Sequence, residues 1–313
     1  MKVLVAGGTG VIGRALIPIL ASAGHEVTIM ARETTATARS QPDGSRLVRA
    51  DALDPKATWT AIAVAAPDVV INMLTAIPAQ LNPKRFAKDL ALTNRLRIEG
   101  TRNVIAGAEA AGAKRIISQG LAYAYNPGPD SPATEDEPLW INPPKQFVPA
   151  LAAIESLEQQ TAQAGGLVLR LGHLYGPGSM YGPDGSFTQQ IRAGKLPLVG
   201  GGTAVFSFTH ADDAASAVLA AIDKDVCGAL NIVDNEPAPM HEWLPYVARL
   251  VGGRAPRPAP IFLARLAVGD WGVALMTQLR AADNARARLQ LSWRPRYPSW
   301  REGFKADLGP ERA

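Results

Sequence analysis

Short apolar runs alternate with amphipathic stretches over the first 170 residues. KVLVAG (2–7) has the length and continuity of a buried strand, and RALIPILASAG (14–24) follows it with helical spacing and a terminal glycine. The same pattern predicts strands at 25–32, 46–51, 67–74, 114–120 and 167–172. It predicts helices at 92–112 and 147–164; at the start of the second, Phe147, Leu151, Ile154 and Leu157 keep helical spacing. Strands alternating with helices need crossover connections, so the expected fold is α/β, a doubly wound parallel sheet covered on both faces.

After Gly172 the rhythm changes. GHLYGPGSMYGPDGS reads as a loop, FSFTHADDAASAVLAAI (206–222) as a strand entering a helix, and GALNIVD (228–234) as another strand. GGRAPRPAP (252–260) breaks helix and reads as a stiff connector, and SWRPRYPSWREGF (292–304) is expected to pack on a second lobe. The expected organisation is a main domain over 1–170, to which 205–235 returns, and a smaller α/β substrate lobe built from 171–204 and 236–313.

VAGGTGVIG (5–13) opens directly after the first strand and feeds the first helix. Gly7, Gly10 and Gly13 fit the needs of a dinucleotide loop: a tight turn, close backbone approach to a pyrophosphate, and helix packing on the strand. Thr9, Val11 and Ile12 lie between them, where free N–H groups at a helix start favour phosphate. The second strand ends on Met30, Ala31, Arg32 rather than on the acid usual for NAD. Arg32 can pair with a 2′-phosphate, so NADPH is expected over NADH, with Glu33 next door as a complication. Asp51 is placed to accept from an adenine amino group. Ala52, Leu74, Thr75 and Gln119, at the ends of later strands, complete the expected cofactor lining.

Composition narrows the partners. The 313 residues are 47% hydrophobic and 19% charged, as in a folded globular protein. The net charge of +4 is spread along the chain rather than gathered in a basic run, which argues against nucleic acid. Cys227 is the single cysteine, so no intrachain disulfide forms, as suits a reducing cytoplasm. Glycines and Arg14 interrupt the apolar start in a way a secretory core would not need, and no apolar run is long enough for a membrane. With His25, His210 and His241 scattered among non-ligand neighbours, no metal site is expected.

These residues resemble a family. The glycine spacing, ADALD (50–54), EGTRNVIAGAEAAGAKRII (99–117), LRLGHLYGPG (169–178), FSFTHADDAA (206–215) and WRPRYPSWREGF (293–304) look like the extended short-chain dehydrogenase/reductase superfamily of NAD(P)-dependent epimerases, dehydratases and reductases. The resemblance covers nearly the whole chain. It implies a Rossmann domain, a C-terminal substrate-binding part, and a Ser/Thr, Tyr and Lys group in which the Tyr passes a proton to or from the substrate oxygen. Here the Ser/Thr position falls on Leu121, the Tyr-x-x-x-Lys pair on Phe147 and Leu151, and the usual Asn before GT on Arg97. No Tyr lies between Tyr125 and Tyr175, and Lys145 is the single Lys between them, so no shift of register restores the pair. SQGLAYAY (118–125) and TEDEPL (134–139) resemble a divergent branch lacking the group, such as the ketoreductase that tailors the angucyclinone of simocyclinone.

Tyr123, two residues after the lost Ser/Thr position, and His173, just after the sixth strand, are the candidate catalytic residues, as phenol donor and proton relay. Gln119, Phe147, Tyr175 and Tyr181 are candidate substrate contacts, although Tyr175 also belongs to the family's structural YGPG. Thr75 and Asn94 are further cleft residues, and Ser118 is expected to point into the sheet. The expected function is NADPH-dependent reduction of a ketone on a small molecule, an aromatic polyketide or other secondary metabolite. An epimerase or dehydratase, or a non-catalytic NADP(H)-binding regulator, is the alternative. The protein is expected to be cytoplasmic and a monomer or homodimer. In a family dimer Arg95 and Arg97 would make the paired helix face polar.

Overall fold

The computed structural model describes residues 1–32, 44–128 and 131–309. Seven parallel strands form the main sheet: β1 (Lys2–Ala6), β2 (Glu26–Ala31), β3 (Arg46–Arg49), β4 (Val69–Asn72), β5 (Arg115–Leu121), β6 (Leu167–Leu171) and a last strand, Gly228–Ile232. With that strand at one edge, the order is Gly228–Ile232, β6, β5, β4, β1, β2, β3. The order reverses between β1 and β4, which opens the crevice at their carboxyl ends where such folds bind ligands.

Period-two alternation sorts the side chains. Val3 and Val5 face one layer with Leu16 and Leu20 of α1 (Val11–Ser22) and with Ala214 and Val218 of Ala211–Ile222. Leu4 and Ala6 face the other layer, with Ile62 of α2 (Pro55–Ala65) and Val104 and Ala108. The predicted helix 92–112 is not uniform. It runs as Ala91–Arg95, opens into a π-helical turn at Leu96–Gly100, and continues as Thr101–Ala110; this helix is α3. The helix predicted at 147–164 is α4 (Val148–Gln163).

An aromatic cluster of Tyr175, Tyr181, Phe206, Phe208, Trp243, Trp300 and Phe304, from the segments expected to form the second lobe, is continuous with Leu121 of β5 and with Phe147, Leu151 and Ile154 beside and within α4. The predicted tail divides between two clusters: Trp300 and Phe304 enter this aromatic one, whereas Trp293 packs with α1 and the β1 layer and donates its indole N–H to Ser216 Oγ at 2.9 Å. The stiff connector contributes a two-residue strand, Pro258–Ala259, paired with Leu198–Val199. Among the described residues no helix is long and apolar enough to cross a membrane, and no cluster of three or more His, Cys, Asp or Glu could hold a metal.

Candidate active site

The glycine loop is shaped by close approaches. Gly7 has φ +84°, and a Cβ on it would lie 2.7 Å from the Met73 carbonyl oxygen. A Cβ on Gly13 would fall on the Gly8 backbone. Gly10 is exposed and caps α1 without any side-chain hydrogen bond, so the N–H groups of Val11, Ile12 and Gly13 open the helix without intrahelical partners. This cradle fits a dinucleotide pyrophosphate.

The other expected cofactor residues lie in or just past the carboxyl ends of β2 to β5. Arg32 is exposed just past the end of β2; Glu33 lies outside the described residues. Asp51 is exposed past β3, and one carboxylate oxygen accepts from the Leu53 N–H at 3.0 Å. Ala52 and Leu74 both approach Gly100 of the π turn. Thr75 is exposed after β4, while Gln119 is half-buried on β5. Ser118 points inward, accepting from Thr161 Oγ1 of α4 at 2.9 Å.

The corner expected to hold an acid–base pair is apolar. The Phe147 ring stacks on Trp271, with centroids 4.1 Å apart and planes 2° from parallel, and both pack against Trp140 and Phe86. Phe147 is 1% exposed, so it builds the wall of this corner and does not present a face to substrate, a correction to its expected contact role. Leu121 and Leu151 are also buried. The sequence reading missed Trp271, which lies in the helix Ile261–Thr277, because nothing local ties it to Phe147.

Past β5 and β6, Tyr123 and His173 come together, with ring centroids 4.4 Å apart. Burial pushes the Tyr123 phenol upward, opposed by the nearby charge of Arg97, so it stays protonated and can donate a hydrogen bond. His173 is buried against Tyr123 and Phe206, and burial lowers its pKa to about 3. Its ring is neutral at physiological pH, so the expected proton relay does not fit this environment; it packs instead.

The two loop tyrosines need the same correction. Tyr175 is fully buried between Phe304 and His210, with its hydroxyl against Gly303, inside the aromatic cluster. Tyr181 is buried on Phe187, makes an edge contact with His173, centroids 6.3 Å apart, and lies within electrostatic reach of Tyr123. Arg97 moves the other way: the helical pattern put it on the surface beside Arg95, but it is 4% exposed, while Arg95 stays outside and pairs with Glu99 at 2.9 Å. One turn earlier Asn94 is also buried.

A parallel sheet with a glycine cradle at its switch point defines a dinucleotide-binding α/β protein. The sequence profile of the NAD dependent epimerase/dehydratase family matches residues 3–232, and the chain belongs to that family. The 3-diazoavenalumate denitrifying reductase of a Streptomyces species is 42% identical over 97% of this chain and 99% of that protein. The UDP-glucose 4-epimerase of Thermus thermophilus, solved with NAD, superposes with a TM-score of 0.77 at 23% identity over 98% of each chain. The human epimerase family protein SDR39U1, solved with NADPH, superposes with a TM-score of 0.74 at 24% identity over 98% of this chain and 99% of that one. The protein is an oxidoreductase.

Proposed function

We propose that the protein is an NADPH-dependent reductase of a small aromatic secondary metabolite, and that its hydride acceptor needs no proton from the protein. The observation that carries this reading is the apolar corner: Phe147 stacked on Trp271, with Leu121 and Leu151 buried, in a chain that keeps the whole glycine cradle. Reducing a ketone leaves an alkoxide, which is what a Tyr–Lys pair serves. A diazonium acceptor differs. NADPH would supply a hydride at this site; on an aryl diazonium carbon, hydride taking the place of N2 would leave a neutral arene C–H, with no alkoxide to be protonated. The 42% identity to a denitrifying reductase supports that acceptor, an aryl diazonium group. The glycine cradle would hold the pyrophosphate, and Arg32 the 2′-phosphate that separates NADPH from NADH. The half-buried Tyr123, backed by His173, offers a flat surface that suits an aromatic ring.

A second reading is reduction of a ketone on an aromatic polyketide. The protonated Tyr123 phenol, half-buried past β5, favours it, because it can hydrogen-bond a carbonyl oxygen.

The test is NADPH oxidation on two panels, arenediazonium compounds and aromatic ketones. Consumption with release of N2 on the first supports the main reading; consumption on ketones alone moves the assignment to the second, and silence on both removes both. Tyr123→Phe sharpens the result. We expect less than about a threefold change on a diazonium acceptor; a loss of roughly tenfold or more, near 1.4 kcal/mol, would mean that the hydroxyl stabilises a developing oxyanion.

A further inference from the structure

The other buried arginine among the described residues, Arg170, has a carboxylate partner, as does the half-buried Arg280. Arg170 donates to both oxygens of Glu158, at 2.8 and 2.7 Å, and also to the Tyr125 hydroxyl. Arg280 pairs with Glu137. Arg97 has no such partner among the described residues, and its Nη1 is buried without a hydrogen bond. The Asn94 Oδ1, one turn earlier, is likewise buried and unpaired. A guanidinium removed from water without an anion is costly, and the chain has placed it there through the π turn at Leu96–Gly100, a distortion frequent at functional sites.

The direction of Arg97 narrows the partner. The group its charge acts on is the Tyr123 phenol, past the end of β5. The glycine cradle follows β1, which is separated from β5 by β4, so the two lie about 10 Å apart across the sheet. The pyrophosphate held there is therefore not the missing anion. His173 is neutral, Phe147, Leu151 and Leu121 are apolar, and the carboxylate against β5 at Gly120, Glu158, is already taken by both guanidinium donors of Arg170.

We propose that Arg97 is the anion-binding residue of the substrate cleft, so that the substrate class is an aromatic compound bearing a carboxylate or phenolate oxygen that pairs with the buried guanidinium beside Tyr123. This rests on the reductase reading above. The fork of donors on Arg97 suits either oxyanion, and the pair fixes the ring against the site.

The experiment uses the NADPH-loaded protein at mildly alkaline pH and calorimetric titration with two probe pairs. Cinnamate against methyl cinnamate isolates a carboxylate; 4-nitrophenolate against 4-nitroanisole isolates a phenolate. The wild-type protein should prefer the anionic member of one pair by roughly tenfold or more. Arg97→Gln should erase that preference and Arg97→Lys should restore part of it. Removing an uncompensated buried charge should leave the Tm of Arg97→Gln unchanged or raise it by about 2 °C, whereas a purely structural arginine would lower it. A wild-type protein with no anion preference, or a preference that survives Arg97→Gln, overturns the proposal. So does a drop in Tm with the preference intact. NADPH binding is measured separately before any probe is added; its absence would be a failure of the reductase reading, not of this one.

Discussion

The two ends of the crevice have been shaped in opposite ways. At the β1 end, Gly7 and Gly13 leave no room for a side chain, and the start of α1 opens with unpaired N–H groups. At the β5 end, where the family's pattern places an acid–base pair, the chain has four packed aromatic rings and two leucines. The first end binds a cofactor whose chemistry does not change between family members; the second must match one substrate. A fold can keep the first and rebuild the second, provided the acceptor releases the protein from supplying a proton.

The most severe way to break that comparison is to put the pair back. In Phe147→Tyr, Leu151→Lys the new hydroxyl, at the edge of the ring stacked on Trp271, and the new ammonium would both enter buried positions. We expect a loss of about 3–5 kcal/mol in thermal or denaturant unfolding, with no gain in turnover on a diazonium acceptor. A double variant as stable as the wild type that reduces ketones faster would show that the corner is an acid–base site lacking only two groups.

How far each end was legible follows the same divide. The cradle is local: the stretch from Gly7 to Gly13 carries it, and spacing alone shows it. The strands at 25–32, 46–51, 67–74, 114–120 and 167–172 were legible for the same reason, each lying within a residue or two of β2 to β6. The β5 end is assembled from afar. Trp271 reaches Phe147 from a distant part of the chain, and periodicity carries no information about such contacts. The π turn hid Arg97, because one extra residue per turn rotates the helix and carries a side chain assigned to the surface into the interior. Tyr175 misled for a different reason: YGPG reads as a loop, yet His173–Tyr175 pairs as a strand with Phe208–His210 and closes the aromatic cluster.

A next-largest effect concerns His173, which sits near the rebuilt end without titrating. Its folded pKa of about 3 lies below the ordinary 6.5, so the unfolded chain takes up a proton that the folded one does not. Its contribution is therefore fully present above about pH 6.5 and is lost as pH falls toward 3, on the order of 3 kcal/mol by about pH 4. Urea unfolding across that window should show the slope, and His173→Gln should flatten it whatever its stability at neutral pH. An unchanged slope would mean that the ring is protonated in the fold.

The smallest effect sharpens the cofactor end. Arg32→Ala should weaken NADPH by about 10- to 100-fold, or roughly 1–3 kcal/mol, and leave NADH within about threefold. Equal losses for both cofactors would remove the 2′-phosphate role from Arg32.

The central claim is that hydride enters the substrate with no proton drawn from the protein, and isotope placement tests it most directly. The reaction is run with an aryl diazonium substrate and NADPH deuterated at the transferring position, then with unlabelled NADPH in D2O. The account predicts deuterium at the former C–N carbon in the first product and none there in the second. Deuterium from solvent at that carbon, or no loss of nitrogen while NADPH is bound, would contradict it.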